Sequence, residues 1–153
     1  MKNIIIVYYS ILIILVFVAF FMMMGIDTNT VGAVDISSGT ITYECYEGER
    51  DVFHAKKIEY TELEGENILA NIQSSEEWKE LPLPPNLYKK LYINRTFHNE
   101  YDFLEEVENG YYYFRNKNYE DIDDFYNDGY SYNIIVAIYD VDNRIMYYID
   151  DNS

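Results

Sequence analysis

The run from Ile4 to Ile26, IIIVYYSILIILVFVAFFMMMGI, carries no charged side chain. As an α-helix rising about 1.5 Å per residue it reaches roughly 34 Å, enough to cross a hydrocarbon layer of about 30 Å. Inside lipid a single segment can satisfy its own backbone hydrogen bonds only as a helix. The run therefore predicts a transmembrane anchor or uncleaved signal over residues 1–26, in contact with the lipid bilayer through residues 4–26. Lys2 and the amino terminus precede the run, and Asp27 and Asp35 come after it. Positive charge is retained on the cytoplasmic side, which predicts a single pass with the N-terminus cytoplasmic and the C-terminal domain outside. Val31-Gly32-Ala33 has small residues at the spacing of a signal-peptidase site, so secretion after Ala33 is the alternative. A secretory signal normally has an apolar core of about 7–15 residues, and this longer run favours retention.

Beyond the run the chain is acidic. The formal net charge is −16, and Lys2 is the one charged side chain in the first 26 residues. Such a field excludes nucleic acid, whose phosphates need clustered Lys and Arg. It suits a soluble surface, a cationic protein or peptide partner, or divalent cations. With 18 Tyr and 8 Phe the chain has enough apolar area to offset the entropy of ordering it. Cys45 is the only cysteine, so a domain outside the membrane would be held by its core rather than by disulfides. That fits a bacterial cell surface. Residues 27–38 read as a short polar linker and 39–153 as one extracytoplasmic domain.

Thr40-Ile-Thr-Tyr-Glu-Cys-Tyr46 alternates as a half-buried strand, placing Ile41, Tyr43 and Cys45 on one face. A turn at Glu47–Arg50 leads to a second strand, Val52 to about Leu63, and Glu64-Gly65-Glu66-Asn67 turns into a third at Ile68–Ile72. Ser74-Ser75-Glu76-Glu77 has capping-box spacing for a short helix carrying Trp78 and Leu81, which Pro82 ends. Leu81–Pro85 is an extended connector, and Asn86–Ile93 fits a short helix or a strand. The strongest helical pattern lies at Glu100–Asn109, with Asn99 as cap, Phe97, Tyr101, Leu104 and Val107 in one stripe, and Gly110 as terminator. Tyr111–Arg115 reads as a strand, in which Tyr112 faces out if Tyr111 and Tyr113 face the core.

The clearest local structure is C-terminal. Tyr132–Asp140 and Arg144–Asp150 form a hairpin across Asp142-Asn143, residues that tolerate a type I′ turn. Pairing Val141 with Arg144 sets Ile138 opposite Tyr147 and Val136 opposite Ile149. One face then holds Ile134, Val136, Ile138, Ile145, Tyr147 and Ile149. The other holds Ile135, Ala137, Tyr139, Met146 and Tyr148, so the hairpin is covered on both sides and lies near the middle of the sheet. The whole pattern predicts an α+β fold: an N-terminal transmembrane helix, then one small domain with a mainly antiparallel sheet of about five or six strands and one main helix.

Chemistry is sparse. Cys45 and His54 could approach one another across the Glu47–Arg50 turn as a thiol–imidazole pair, without any flanking signature. Zinc ligands at recognisable spacing, a Gly-rich phosphate loop and a nucleophile elbow are missing from the sequence. Asp140-Val141-Asp142-Asn143 begins like a calcium loop, but Arg144 stands at a ligand position and Ile145 where Gly is needed. The denser group Asp121, Asp123, Asp124 and Asp128 supplies the hard oxygen ligands of weak calcium sites, although a solvated acidic face is the simpler reading. Exposed tyrosines, with Trp78, could stack on sugars or peptides.

These features predict a membrane-anchored extracytoplasmic acidic domain acting as a non-enzymatic binding module at the cell surface, with a cationic protein or peptide as partner. A small surface hydrolase using carboxylates or Cys45/His54 is one alternative, and a structural accessory of an envelope complex is another.

Overall fold

The computed structural model describes residues 29–48, 52–93, 101–117 and 133–152. Within them the chain is a small α+β domain built on one six-stranded, wholly antiparallel sheet. In chain order the elements are β1 (Thr30–Val31), β2 (Val34–Asp35), β3 (Thr40–Glu47) and β4 (Val52–Glu59). Helix α1 (Glu62–Ser74), β5 (Trp78–Glu80) and α2 come next, α2 being an α-helical turn at Pro85–Tyr88 that runs into a π-helical turn at Lys89–Ile93. The remaining strands are β6 (Gly110–Asn116), β7 (Asn133–Asp140) and β8 (Ile145–Asn152). The order across the sheet is β3-β4-β8-β7-β6-β5.

β7 and β8 lie at the centre, as their two-sided apolarity requires, in the register the sequence predicts: Val136 faces Ile149 and Ile138 faces Tyr147. The joining turn differs. Asp140 pairs with Ile145, leaving a four-residue loop in which Arg144, not Asp142 or Asn143, takes positive φ. The two faces of the hairpin lead into two cores. On one, Ile134, Val136, Ile138, Tyr147 and Ile149 pack with Phe53, Ala55 and Tyr112, under Leu83, Leu87 and Leu91 of the α2 region and Tyr101 and Leu104 of the next segment. On the other, Ala137, Tyr139, Met146 and Tyr148 pack with Ile58, Trp78 and Tyr113, under Ile68 and Ile72 of α1 and Val31, Val34 and Ile36. The sheet is thus the middle layer of three.

Several sequence expectations are corrected. The residues read as a turn and third strand, 64–72, are the body of α1. Thr61 caps that helix, and the Glu64 carboxylate accepts from the Thr61 backbone N–H at 2.9 Å. Ser74, expected to start a helix, ends one, and Trp78 lies on β5 paired with Tyr113. The helix expected at Glu100–Asn109 is irregular chain from Tyr101 onward, though Tyr101 and Leu104 are still buried. Tyr112 is as buried as Tyr113, because β6 is covered on both faces. In β3 a register irregularity between Ile41 and Tyr43 sets Ile41 across from Ile58, on the face opposite Tyr43 and Cys45.

The expected linker is, from residue 29 onward, part of the fold. Thr30–Val31 and Val34–Asp35 form a small hairpin turned at Gly32-Ala33, both at positive φ as a two-residue primed turn requires. Gly32 is forced twice over: a Cβ there would sit 2.6 Å from the Tyr113 ring and 2.7 Å from the Trp78 indole nitrogen. The Trp78 indole N–H lies within reach of the Val31 and Gly32 carbonyls (3.3 and 3.2 Å), and the Tyr60 hydroxyl donates to the Ile36 carbonyl at 3.1 Å. The apolar run at residues 4–26 lies outside the described residues. Among the described residues no helix is long and apolar enough to cross a membrane.

Candidate functional site

Strand alternation decides the thiol–imidazole pairing. Cys45 stands opposite Ala55 and Tyr46 opposite His54, so Cys45 projects to the α2 face and His54 to the α1 face. The structure does not bring them together. Cys45 packs against the α2-side core, its sulfur 3.6 Å from a Glu47 carboxylate oxygen. The partner of His54 is Glu44, one strand over, with His54 Nε2 3.0 Å from Glu44 Oε1. Lys56 Nζ lies 3.6 Å from the same oxygen. The hydrogen bond from His54, with support from Lys56, holds the Glu44 carboxyl below its ordinary pKa.

Rings frame this group. Tyr46 meets His54 edge-on at 5.7 Å and His54 meets Tyr148 at 6.0 Å. Asp150 faces His54 from β8 and is paired with Lys117 at 2.8 Å. Tyr148 is the buried floor, its hydroxyl pushed up by burial and by Asp150. Tyr46 is the rim, 66% exposed. Glu44, Tyr46, His54 and Lys56 therefore make a carboxylate–aromatic ledge on the outermost two strands. Alternation in Thr40–Tyr46 places Glu44 and Tyr46 on one side, but the pairing of Glu44 with His54 depends on a strand register that the sequence leaves open.

The other flagged residues resolve variously. Asp121, Asp123, Asp124 and Asp128 lie outside the described residues. Asp140 has both carboxylate oxygens taken by Asn143, through its backbone N–H at 2.9 Å and its side-chain amide at 2.8 Å, so the calcium-like stretch is turn chemistry. Trp78 is buried under the β1–β2 hairpin rather than presented to a ligand. Among the described residues no three His, Cys, Asp or Glu side chains assemble as a metal-holding group.

The charges are sorted by direction. Lys56 and Lys90 are buried, and Lys56, Lys57, Lys90 and Lys117 are each paired with Glu44, Glu105, Asp151 and Asp150 in turn. Glu59, Glu62, Glu66, Glu76, Glu77, Glu80 and Glu108 point to solvent and have no ion-pair partner among the described residues. Four lysines are thus held in ion pairs, two of them buried, while these carboxylates face solvent without an ion-pair partner among the described residues. No protein-family model, curated protein or solved structure matches the chain.

Proposed function

We propose that this chain is a non-enzymatic acidic binding module, tethered to a membrane through residues 4–26 and holding its domain outside, where it takes up a cationic protein or peptide. The observation that carries the reading is the sorting of charge: four lysines are held in ion pairs, while seven glutamates face solvent without an ion-pair partner among the described residues. A surface of this kind steers cationic partners toward itself and repels anionic ones. Retention of the anchor is supported by the β1–β2 hairpin. Cleavage after Ala33 would remove Val31 and Gly32, which are buried against Trp78 and Tyr113.

Two measurements test it. Full-length protein in non-ionic detergent should bind oligolysine at low ionic strength, with affinity falling steeply as salt is added. No binding even at low salt would sink the partner. For the tether, Cys45 is replaced by Ser, a cysteine is added after Ser153, and intact cells are treated with a membrane-impermeant maleimide. Labelled full-length protein in the membrane fraction is expected. Labelling only after the membrane is breached would reverse the topology.

A further inference from the structure

The two edges of the sheet are unequal. β5 closes one side with only three residues, Trp78–Glu80, whereas β3 closes the other with eight. Long open edges recruit other strands, and proteins ordinarily blunt them with bulges, charges or covering segments. In β3 the irregularity is confined to the step between Ile41 and Tyr43. From Tyr43 to Glu47 the strand runs in unbroken register with β4, and among the described residues no strand lies on its outer side. Its side chains on the α1 face are unusually open: Ile41 is 47% exposed and Tyr46 66%.

We propose that the outer edge of β3, along Tyr43–Glu47, takes up an extended basic–apolar–basic segment of a cationic protein as a seventh strand. This rests on the acidic-module reading and supplies its docking mode. Side chains alternate on an added strand as they do on β3. Partner residues opposite Glu44 and Tyr46 share the α1 face, and the one between them turns to the α2 face. A Lys or Arg opposite Glu44 meets a half-exposed carboxylate kept ionised by His54 and Lys56. A second, opposite Tyr46, lies over an exposed ring, the geometry of a cation–π contact. The residue between them faces the side on which Tyr43 stacks on Phe103 at 4.7 Å, an apolar setting. A second copy of this chain is the poorer occupant. It brings another net −16 and, paired antiparallel through Tyr43–Glu47, sets Tyr46 rather than a cation opposite Glu44.

The test uses full-length protein in non-ionic detergent and two blocked peptides of equal composition, one alternating Lys and Val and one with its lysines contiguous. Calorimetry gives affinities, and amide chemical shifts report the site. The alternating peptide is expected to bind more tightly, with shifts centred on Tyr43–Glu47. The E44Q/Y46A pair is expected to lose about tenfold in affinity, the sum of one ion pair and one cation–π contact. An E62Q/E66Q pair on α1 serves as control and should bind as the parent does, and far-UV circular dichroism establishes that both variants fold. Equal binding of the two peptides, or equal loss in both variants, overturns strand addition while leaving the acidic module intact. Failure of both peptides to bind overturns strand addition and the acidic module alike. A dimer that forms at rising protein concentration and is lost in E44Q/Y46A would hand the edge to a second copy.

Discussion

Tyr147 stands on the α2 face among Phe103, the Lys57 ammonium 5.7 Å from its ring centre, and the aliphatic side chains of β7. Its hydroxyl is buried with no hydrogen-bond partner among the described residues, although the Glu105 backbone comes near enough to offset part of the rise in its pKa. Burial above all pushes its pKa up to about 12. An unpaired hydroxyl in a core costs stability, so Tyr147→Phe should be neutral or should raise the melting temperature. A loss above about 1 kcal/mol would show that the hydroxyl is bonded after all. Asp151 is the opposite case. Its Oδ2 accepts from Tyr101 at 2.8 Å and from Lys90 at 3.1 Å, with the Asp151 and Lys90 side chains only 10% exposed. Lys90→Met should cost about 3–5 kcal/mol, because it strands a buried carboxylate. The double change Lys90→Met with Asp151→Leu should recover much of that loss in thermal unfolding, as a buried pair is worth little against apolar packing. Neither residue is conspicuous in the sequence: a Lys in an ambiguous segment and an Asp near the C-terminus become a buried pair only when α2 folds back over β8.

At the scale of elements, what local pattern could dictate was legible, and what tertiary contact dictates was not. The β7–β8 hairpin was readable down to its register because both of its faces are apolar and a one-residue slip would exchange them. Helix α1 was not, and Gly65 is the reason. A glycine between two glutamates reads as a turn, yet here it is a close approach. A Cβ on Gly65 would come within 2.8 Å of the Arg144 side chain, and the Tyr139 hydroxyl donates to the Gly65 carbonyl at 3.0 Å. The helix tolerates the weak helix former because the sheet needs the room. The signal present was Thr61-x-x-Glu64, the capping box that starts α1. Thr61→Ala should therefore lower stability by about 1 kcal/mol, read from urea unfolding tracked by far-UV circular dichroism. An unchanged midpoint would mean that burial of Ile68 and Ile72 alone sets the helix. Gly32→Ala should cost more, about 1–3 kcal/mol, since positive φ and a ring contact both oppose it. The stripe at 101–107 shows the converse: its apolar spacing identified Tyr101 and Leu104 as buried, but packing into the α2-side core does not require helical backbone.

For the molecule as a whole, the same sorting of charge that supports a cationic partner also sets how stability responds to pH and salt. Asp35, Glu44 and Glu64 have their carboxyls lowered by hydrogen bonds from Ser37, His54 and Thr61. A depressed folded-state pKa means that their contribution is complete above the ordinary carboxylate range and is lost as pH falls through the depressed values. Tyr60, Tyr139, Tyr147 and Tyr148 are raised by burial, so their contribution is complete below about pH 10 and is lost as pH climbs beyond it. Between these limits the governing term is repulsion among the outward glutamates, which tends to vanish only near the sequence pI of about 4.2. Sodium chloride at pH 8 should accordingly raise the melting temperature of the full-length protein in non-ionic detergent, because screening weakens that repulsion more than it weakens the largely buried Lys90–Asp151 pair. The gain should shrink steadily toward pH 5 as carboxylates begin to take up protons. Salt that lowered the melting temperature at pH 8 would mean that the exposed pairs, Lys57–Glu105 above all, outweigh the surplus of carboxylates.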